Sequence, residues 1–164
     1  TTYGKTGQSY MKRRTFALGA LAGFEKSGQF FFNAPLGRGY DDGLISAIAI
    51  CEMLDREPGK SMADLKNALP KTWSSPTMSP HCSDEAKYGI VDQVVKHFEA
   101  MQKKNEKVAG QKIRDLVTVN GVRVTVEDGS WGMVRAMSNK PVLVVVEASP
   151  FCEHRMRILI EAED

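Results

Sequence analysis

What the sequence has little of narrows the field first. Cysteine is scarce: Cys51, Cys82 and Cys152 are the whole complement. An odd, widely spaced set excludes a disulfide framework as the source of stability and points to a reducing, cytoplasmic compartment. No stretch approaches the roughly 18 apolar residues of a membrane span, and the N-terminus lacks the basic-then-apolar order of a signal peptide, so no membrane partner is expected. A dominant charge is missing too. Lysine and arginine total 22 against 20 acidic residues, a net charge of +2, so no long-range field steers the chain to a polyanion and any anion must be held locally. Aromatic residues make up 8% and do not form the adjacent-strand pair that stacks bases, so nucleic acid is not an expected partner. Metal ligands are sparse. His81 with Cys82 and Cys152 with His154 would make a zinc site only if the two segments met, and neither pair has the spacing usual in structural zinc sites. Ordinary buried thiols and surface imidazoles are the expectation.

What is present is a core. At 42% hydrophobic over 164 residues, the chain can build one domain, or one plus a piece of another. A helix is expected from Ser9 through Arg14, then a buried strand over Ala20–Phe24, a polar turn, and a strand over Phe30–Phe32. Asp41 or Asp42 caps a helix running to about Asp55. Its apolar residues Leu44, Ile45, Ile48, Ala49, Cys51, Met53 and Leu54 cover most of its circumference, which predicts a largely buried helix. Between Glu57 and Pro80 prolines enclose a short helix, Ser61–Ala68, and mark a domain junction. Trp73–Met78 reads as an edge strand because it contains Pro76. Ser83 or Asp84 caps a helix carrying Ala86, Ile90, Val91, Val94, Val95, Phe98 and Met101 at helical spacing, and a polar loop follows over Gln102–Gln111. Leu116, Val117 and Val119, then Asn120-Gly121, then Val122, Val124 and Val126 predict a hairpin with a type I′ turn. Strands over Trp131–Ala136 and Val142–Glu147 follow, joined directly by Met137–Pro141. Ser149 and Pro150 open a last helix with Phe151, Met156, Leu159 and Ile160 inward. A four-stranded, mainly antiparallel sheet with helices on one face is the simplest way to bury these patterns.

Two loops collect polar groups around flexible backbone. In Glu25-Lys26-Ser27-Gly28-Gln29, a carboxylate acceptor and a hydroxyl one residue apart, flanked by glycines, offer the mixed donors and acceptors that sugar hydroxyls need. In Arg135 to Pro141, guanidinium, hydroxyl, amide and backbone donors at a tight turn suit a phosphate group. Either loop alone also fits an ordinary solvated turn.

Family resemblance brings the two together. Lys5-Thr6-Gly7-Gln8-Ser9 resembles a Lys-Thr-Gly-His-Ser stretch, and Gly23-Phe24-Glu25-Lys26-Ser27-Gly28-Gln29 resembles a sugar-specificity loop, Gly-Glu-x-Ser-Gly-His. Gly39-Tyr40-Asp41-Asp42-Gly43 is similar to Phe-Asp-Asp-Gly. Gly121-Val122-Arg123-Val124 and Trp131-Gly132-Met133-Val134-Arg135 then lead into a loop usually written Arg-x-Ser-Asn-Thr-x-Pro, in which Met137, Ser138 and Asn139 take the central places. The chain resembles the C-terminal part of the bacterial phosphomannomutase/phosphoglucomutase branch of the α-D-phosphohexomutase superfamily. The resemblance implies an α/β or α+β architecture. Residues 1–71 would be the end of a third, α/β domain. Residues 72–164 would be a fourth domain with a four-stranded, mainly antiparallel, TBP-like sheet packed against helices.

For activity the resemblance implies an intramolecular phosphotransferase that interconverts hexose 1- and 6-phosphates of mannose and glucose through a bisphosphorylated sugar. The phosphoserine and the Mg2+ loop would lie outside this chain, in N-terminal domains that are its partners. No catalytic and no metal-binding residue is expected here, and the chain alone is expected to be inactive. Substrate contacts would fall on Gln8, Glu25, Lys26, Ser27, Gly28, Gln29, Arg135, Met137, Ser138 and Asn139. Glu25 and Ser27 would reach the sugar's 3- and 4-hydroxyls, and Arg135, Ser138 and Asn139 would hold the phosphate that is not reacting. Gln8 and Gln29 stand where the family has histidine, and they can hydrogen-bond but not titrate. A phosphoglucosamine mutase is the nearest rival, though Glu25-Lys26-Ser27-Gly28 follows the mannose/glucose pattern. A non-catalytic sugar-phosphate-binding module is the rival of another class.

Overall fold

A computed structural model of the chain describes residues 1–151. The fold divides into two compact units, Thr1–Leu69 and Pro70 onward, each taken by itself below. No helix among the described residues is long and apolar enough to cross a membrane.

In the first unit, α1 (Gln8–Ala17) starts at Gly7, whose φ of 111° is a left-handed backbone open mainly to glycine. The Gly7 carbonyl accepts from the amides of Tyr10 and Met11, each at 3.0 Å. Strands β1 (Ala22–Phe24) and β2 (Phe30–Phe32) pair antiparallel with Gly23 opposite Phe31. Helix α1 packs on this hairpin at Gly23, where a Cβ would lie 2.5 Å from Thr15 Cγ2 and 2.9 Å from Met11 Cε. Phe31 is fully enclosed and Thr15 is buried, with the Thr15 hydroxyl donating back to the Met11 carbonyl at 2.9 Å. The expected strand over Ala20–Phe24 is shorter than predicted, and only Gly23 of it is buried, under Thr15 and Met11 of α1, while Phe24 lies in solvent.

Helix α2 (Gly43–Asp55) begins where expected: the Asp42 carboxylate caps the amides of Leu44 and Ile45 at 3.0 and 3.2 Å. Its predicted burial is corrected. No residue of α2 is buried, Leu44 is 71% and Ile48 48% exposed, and Cys51 is exposed rather than enclosed. The short β1–β2 ribbon offers too little surface to cover a helix that is apolar all round. Helix α3 (Met62–Asn67) has a complete capping box: Ser61 Oγ accepts from the Asp64 amide at 3.2 Å, and the Asp64 carboxylate accepts from the Ser61 amide at 2.8 Å. The hydrogen bonds from the Ser61 hydroxyl, then from its amide, hold the Asp64 carboxyl below the ordinary carboxylate value.

The second unit is a six-stranded antiparallel sheet in the order β3-β8-β7-β6-β5-β4. Its long central strands are β5 (Gln111–Val117), β6 (Val122–Val126), β7 (Trp131–Ala136) and β8 (Leu143–Ser149). The sheet has six strands rather than the four expected, its edges formed by the two-residue strands β3 (Trp73–Ser74) and β4 (Lys107–Val108). The expected Trp73–Met78 strand stays on the edge but survives only as Trp73–Ser74, with isolated bridges at Met78 and His81. Pro76 has no amide to donate to a ladder. The expected Gln102–Gln111 loop contains β4, paired with the start of β5, and β5 itself begins at Gln111 rather than Leu116. The Asn120-Gly121 hairpin forms, but positive φ is confined to Gly121 at 81°. A type I′ turn needs it at both central residues, so that turn type is corrected.

Helix α4 (Lys87–Lys103) covers one face of the sheet, where Phe98 meets Val108, Val122, Val124, Val126 and Val134, with Val94, Val95 and Met101 packed beside them. The cap expected at Ser83 or Asp84 is corrected: the helix starts at Lys87 with Ala86 at its N-cap and no side-chain cap, and the Ser83 hydroxyl accepts from the Ala86 amide at 3.3 Å in the turn that leads into it. Of the last helix expected from Pro150, Phe151 is exposed rather than inward, and Met156, Leu159 and Ile160 lie outside the described residues, as do Cys152 and His154.

Candidate functional site

The first candidate loop is the β1–β2 turn. The Gly28 amide donates to the Glu25 carbonyl and the Glu25 amide to the Gln29 carbonyl, both at 3.0 Å, and Gly28 takes a φ of 91°. This is the pattern of a short hairpin loop closed by a left-handed glycine. The turn places three polar side chains on one another. Ser27 Oγ lies 3.1 Å from Gln29 Oε1 and 3.5 Å from Glu25 Oε2. A hydroxyl has one proton to give, so it serves one oxygen at a time and keeps its own lone pairs for a ligand. Lys26, Ser27 and Gly28 are exposed, while Glu25 and Gln29 are half-buried.

Glu25 also reaches beyond its own turn. Its Oε1 accepts from the Gly7 amide at 2.7 Å, at the N-terminus of α1, where the helix dipole favours a negative charge. Gln8, the first residue of α1, is exposed beside this contact. The structure therefore brings the Lys5–Ser9 segment and the Glu25–Gln29 turn together within one unit. The result is a carboxylate acceptor held by the Gly7 amide next to the Ser27 hydroxyl and the Gln29 carboxamide.

The second candidate loop joins β7 to β8 in the other unit. Arg135 stands across from Val144 near the end of β7, on the strand position alternate to the Val134 that packs under α4. Gly121 lies against this strand end: a Cβ there would run into the Val134 carbonyl oxygen and lie 2.8 Å from Arg135 Cα. The hairpin glycine and the arginine, apart in sequence, are thus packed backbone to backbone. After Arg135, Met137 is half-buried and Ser138, Asn139 and Lys140 are exposed. The loop closes through the Met137 amide to the Val142 carbonyl at 3.1 Å and the Val142 amide to the Lys140 carbonyl at 2.9 Å.

Sequence reasoning missed one residue here. Lys87, the first residue of α4, is buried, and its Nζ donates to the carbonyls of Met137 and Lys140 at 2.6 and 3.1 Å and to Asp84 Oδ1 at 2.6 Å. The available signal was its place at the head of the stripe continued by Val91, Val94 and Phe98.

Among the described residues no group of three or more His, Cys, Asp or Glu side chains could hold a metal ion.

Residues 1–73 match the family described as phosphoglucomutase/phosphomannomutase, alpha/beta/alpha domain III. The chain is 36% identical over 141 residues to a phosphomannomutase/phosphoglucomutase of Pseudomonas syringae, covering 86% of this chain and 27% of that protein. It is 28% identical over 142 residues to a phosphoglucomutase of Neisseria meningitidis, covering 86% of this chain and 28% of the relative. A crystal structure of a phosphoglucomutase/phosphomannomutase family protein from Burkholderia thailandensis superposes with a TM-score of 0.74 at 25% identity, over 98% of this chain and 30% of that one. The chain thus spans roughly a quarter to a third of the length of these relatives, matching a C-terminal portion of them.

Proposed function

We propose that the chain, whose residues 1–73 match the phosphoglucomutase/phosphomannomutase domain III family, is the substrate-binding portion of a mutase interconverting hexose 1-phosphate and hexose 6-phosphate. The observation that carries the reading is the Glu25 carboxylate, fixed at 2.7 Å by the Gly7 amide beside Ser27 and Gln29. A pre-set acceptor with a hydroxyl neighbour suits a sugar's vicinal hydroxyls, because neither group must be reoriented when the ligand arrives.

In this reading Glu25 and Ser27 accept from and donate to the sugar hydroxyls, with Gln8 and Gln29 as neutral hydrogen-bonding neighbours and Lys26 and Gly28 completing the turn. Arg135, with the backbone around Met137 and the side chains of Ser138 and Asn139, holds the phosphate that does not react. Fixing the sugar and its unreactive phosphate places the reacting oxygen, and positioning is the larger part of what a protein contributes to phosphoryl transfer. The proton and phosphoryl chemistry itself belongs to a phosphoserine and a Mg2+ site outside this chain. The Mg2+ would supply charge neutralisation at the transferring phosphoryl group. Residues 1–71 and 72–164 would be the third and fourth domains of that enzyme, acting in the cytoplasm on mannose and glucose phosphates.

The test is an NMR titration of the chain with glucose 1-phosphate and, separately, with inorganic phosphate. The sugar phosphate is expected to shift the amides of Glu25 to Gln29 and of Met137 to Asn139, and inorganic phosphate only the second set. Shifts confined to residues away from both loops would reject the assignment.

A further inference from the structure

A lysine in the apolar stripe of a helix is costly unless each of its donors is answered. The Lys87 side chain is 3% exposed. An ammonium carries three N–H donors and no acceptor, and here Asp84 Oδ1, the Met137 carbonyl and the Lys140 carbonyl take one each. The two carbonyls come from the β7–β8 loop and bracket Ser138 and Asn139. In a trans peptide the carbonyl and the next amide point in opposite directions, so turning the Met137 carbonyl toward Lys87 turns the Ser138 amide away from it. No described residue accepts from the amides of Ser138 or Asn139, and both residues are exposed. The partner carboxylate, Asp84, is itself 64% exposed, so water screens it, while the ammonium it faces stays enclosed beneath the loop.

We propose that Lys87 is the positioning residue of the β7–β8 loop: it draws the carbonyls of Met137 and Lys140 inward so that the loop tip offers its amides, Ser138 and Asn139 to a phosphate group. The clamp is independent of the preceding functional reading, and the identity of its ligand rests on it. The lysine touches no substrate and acts only through the loop.

The experiment is amide hydrogen exchange on the whole 164-residue chain, combined with NMR titration of inorganic phosphate, for the wild type, Lys87→Met, Asn139→Ala and the double variant. In Lys87→Met the Met137 and Val142 amides are expected to exchange at least about 10-fold faster while Val94–Met101 of α4 keep their rates. Phosphate affinity is expected to fall about 10-fold, and the two substitutions to be less than additive because both act through one loop. Unchanged exchange at Met137 and Val142 overturns the proposal, as does strict additivity of the two losses. Faster loop exchange with phosphate binding indifferent to Asn139→Ala supports the clamp and removes the phosphate reading instead. Should Lys87→Met fail to fold, Asp84→Asn at the exposed partner carries the test. Exchange at Met137 raised about 3-fold then supports the clamp, and unaltered exchange sinks it.

Discussion

Glu25 Oε1 accepts the backbone amide of Gly7 at 2.7 Å, tying the β1–β2 turn to the start of α1. The contact gives the turn a reference point outside itself, so the positions of Ser27 and Gln29 follow from the hairpin and from the helix end together. Glu25→Ala should release both. The Gly7 amide is expected to lose protection from hydrogen exchange, and the first unit to lose about 1 kcal/mol, near the lower end for a charge-assisted bond because the site is partly exposed. An unchanged Gly7 exchange rate would show the bond to be incidental.

Gly121 has a φ of 81° and no space for a side chain against Val134 and Arg135. Gly121→Ala combines backbone strain with a collision against main-chain atoms that cannot swing away. It should cost the second unit about 2 kcal/mol or more and shift the amide resonance of Arg135. A thermal melt of the variant that overlays the wild type would contradict this packing.

The Asp64 carboxyl is held below the ordinary carboxylate value by the Ser61 hydroxyl first and the Ser61 amide second. A lowered folded-state pKa means support that is present above the unfolded value and lost as pH falls through the folded one. The capping box of α3 should therefore loosen only in acid, below the usual carboxylate range. Carbon-detected NMR titration should find the Asp64 midpoint depressed in the wild type and returned toward normal in Ser61→Ala. Equal midpoints in the two proteins would refute the capping account.

In the proposed reading Gln8 and Gln29 stand where the motifs this chain resembles carry histidine, and a carboxamide cannot take up a proton near neutrality. A protein in which this chain replaces the matching C-terminal portion of the Pseudomonas syringae relative provides the assay. Gln8→His with Gln29→His should raise kcat several-fold and add a pH dependence near 6 to 7. A rate and pH profile identical to the parent would mean that these positions play no part in proton handling.

Much of the architecture was legible because periodicity reports which face of an element is apolar. The β6 and β7 strands, the Asp42 cap and the long α4 all follow from alternation, helical spacing and capping chemistry. What periodicity does not report is what lies opposite. Helix α2 reads as buried from its own residues, yet no described element covers Leu44 or Ile48. Lys87 fails in the reverse sense: a lysine is read as a solvated end, and only the carbonyls of a loop some fifty residues away explain its burial. The two loops could be named from their polar residues. The Glu25–Gly7 and Gly121–Arg135 contacts that fix them join segments distant in sequence and emerge only in the fold.

The proposal that Glu25 serves sugar recognition and Arg135 phosphate recognition is tested most directly by the same chimeric enzyme converting glucose 1-phosphate to glucose 6-phosphate. Glu25→Ala and Arg135→Ala should each lower kcat/KM by about 100-fold, the loss of a charge-assisted contact to substrate. Turnover that is indifferent to both substitutions would contradict the account.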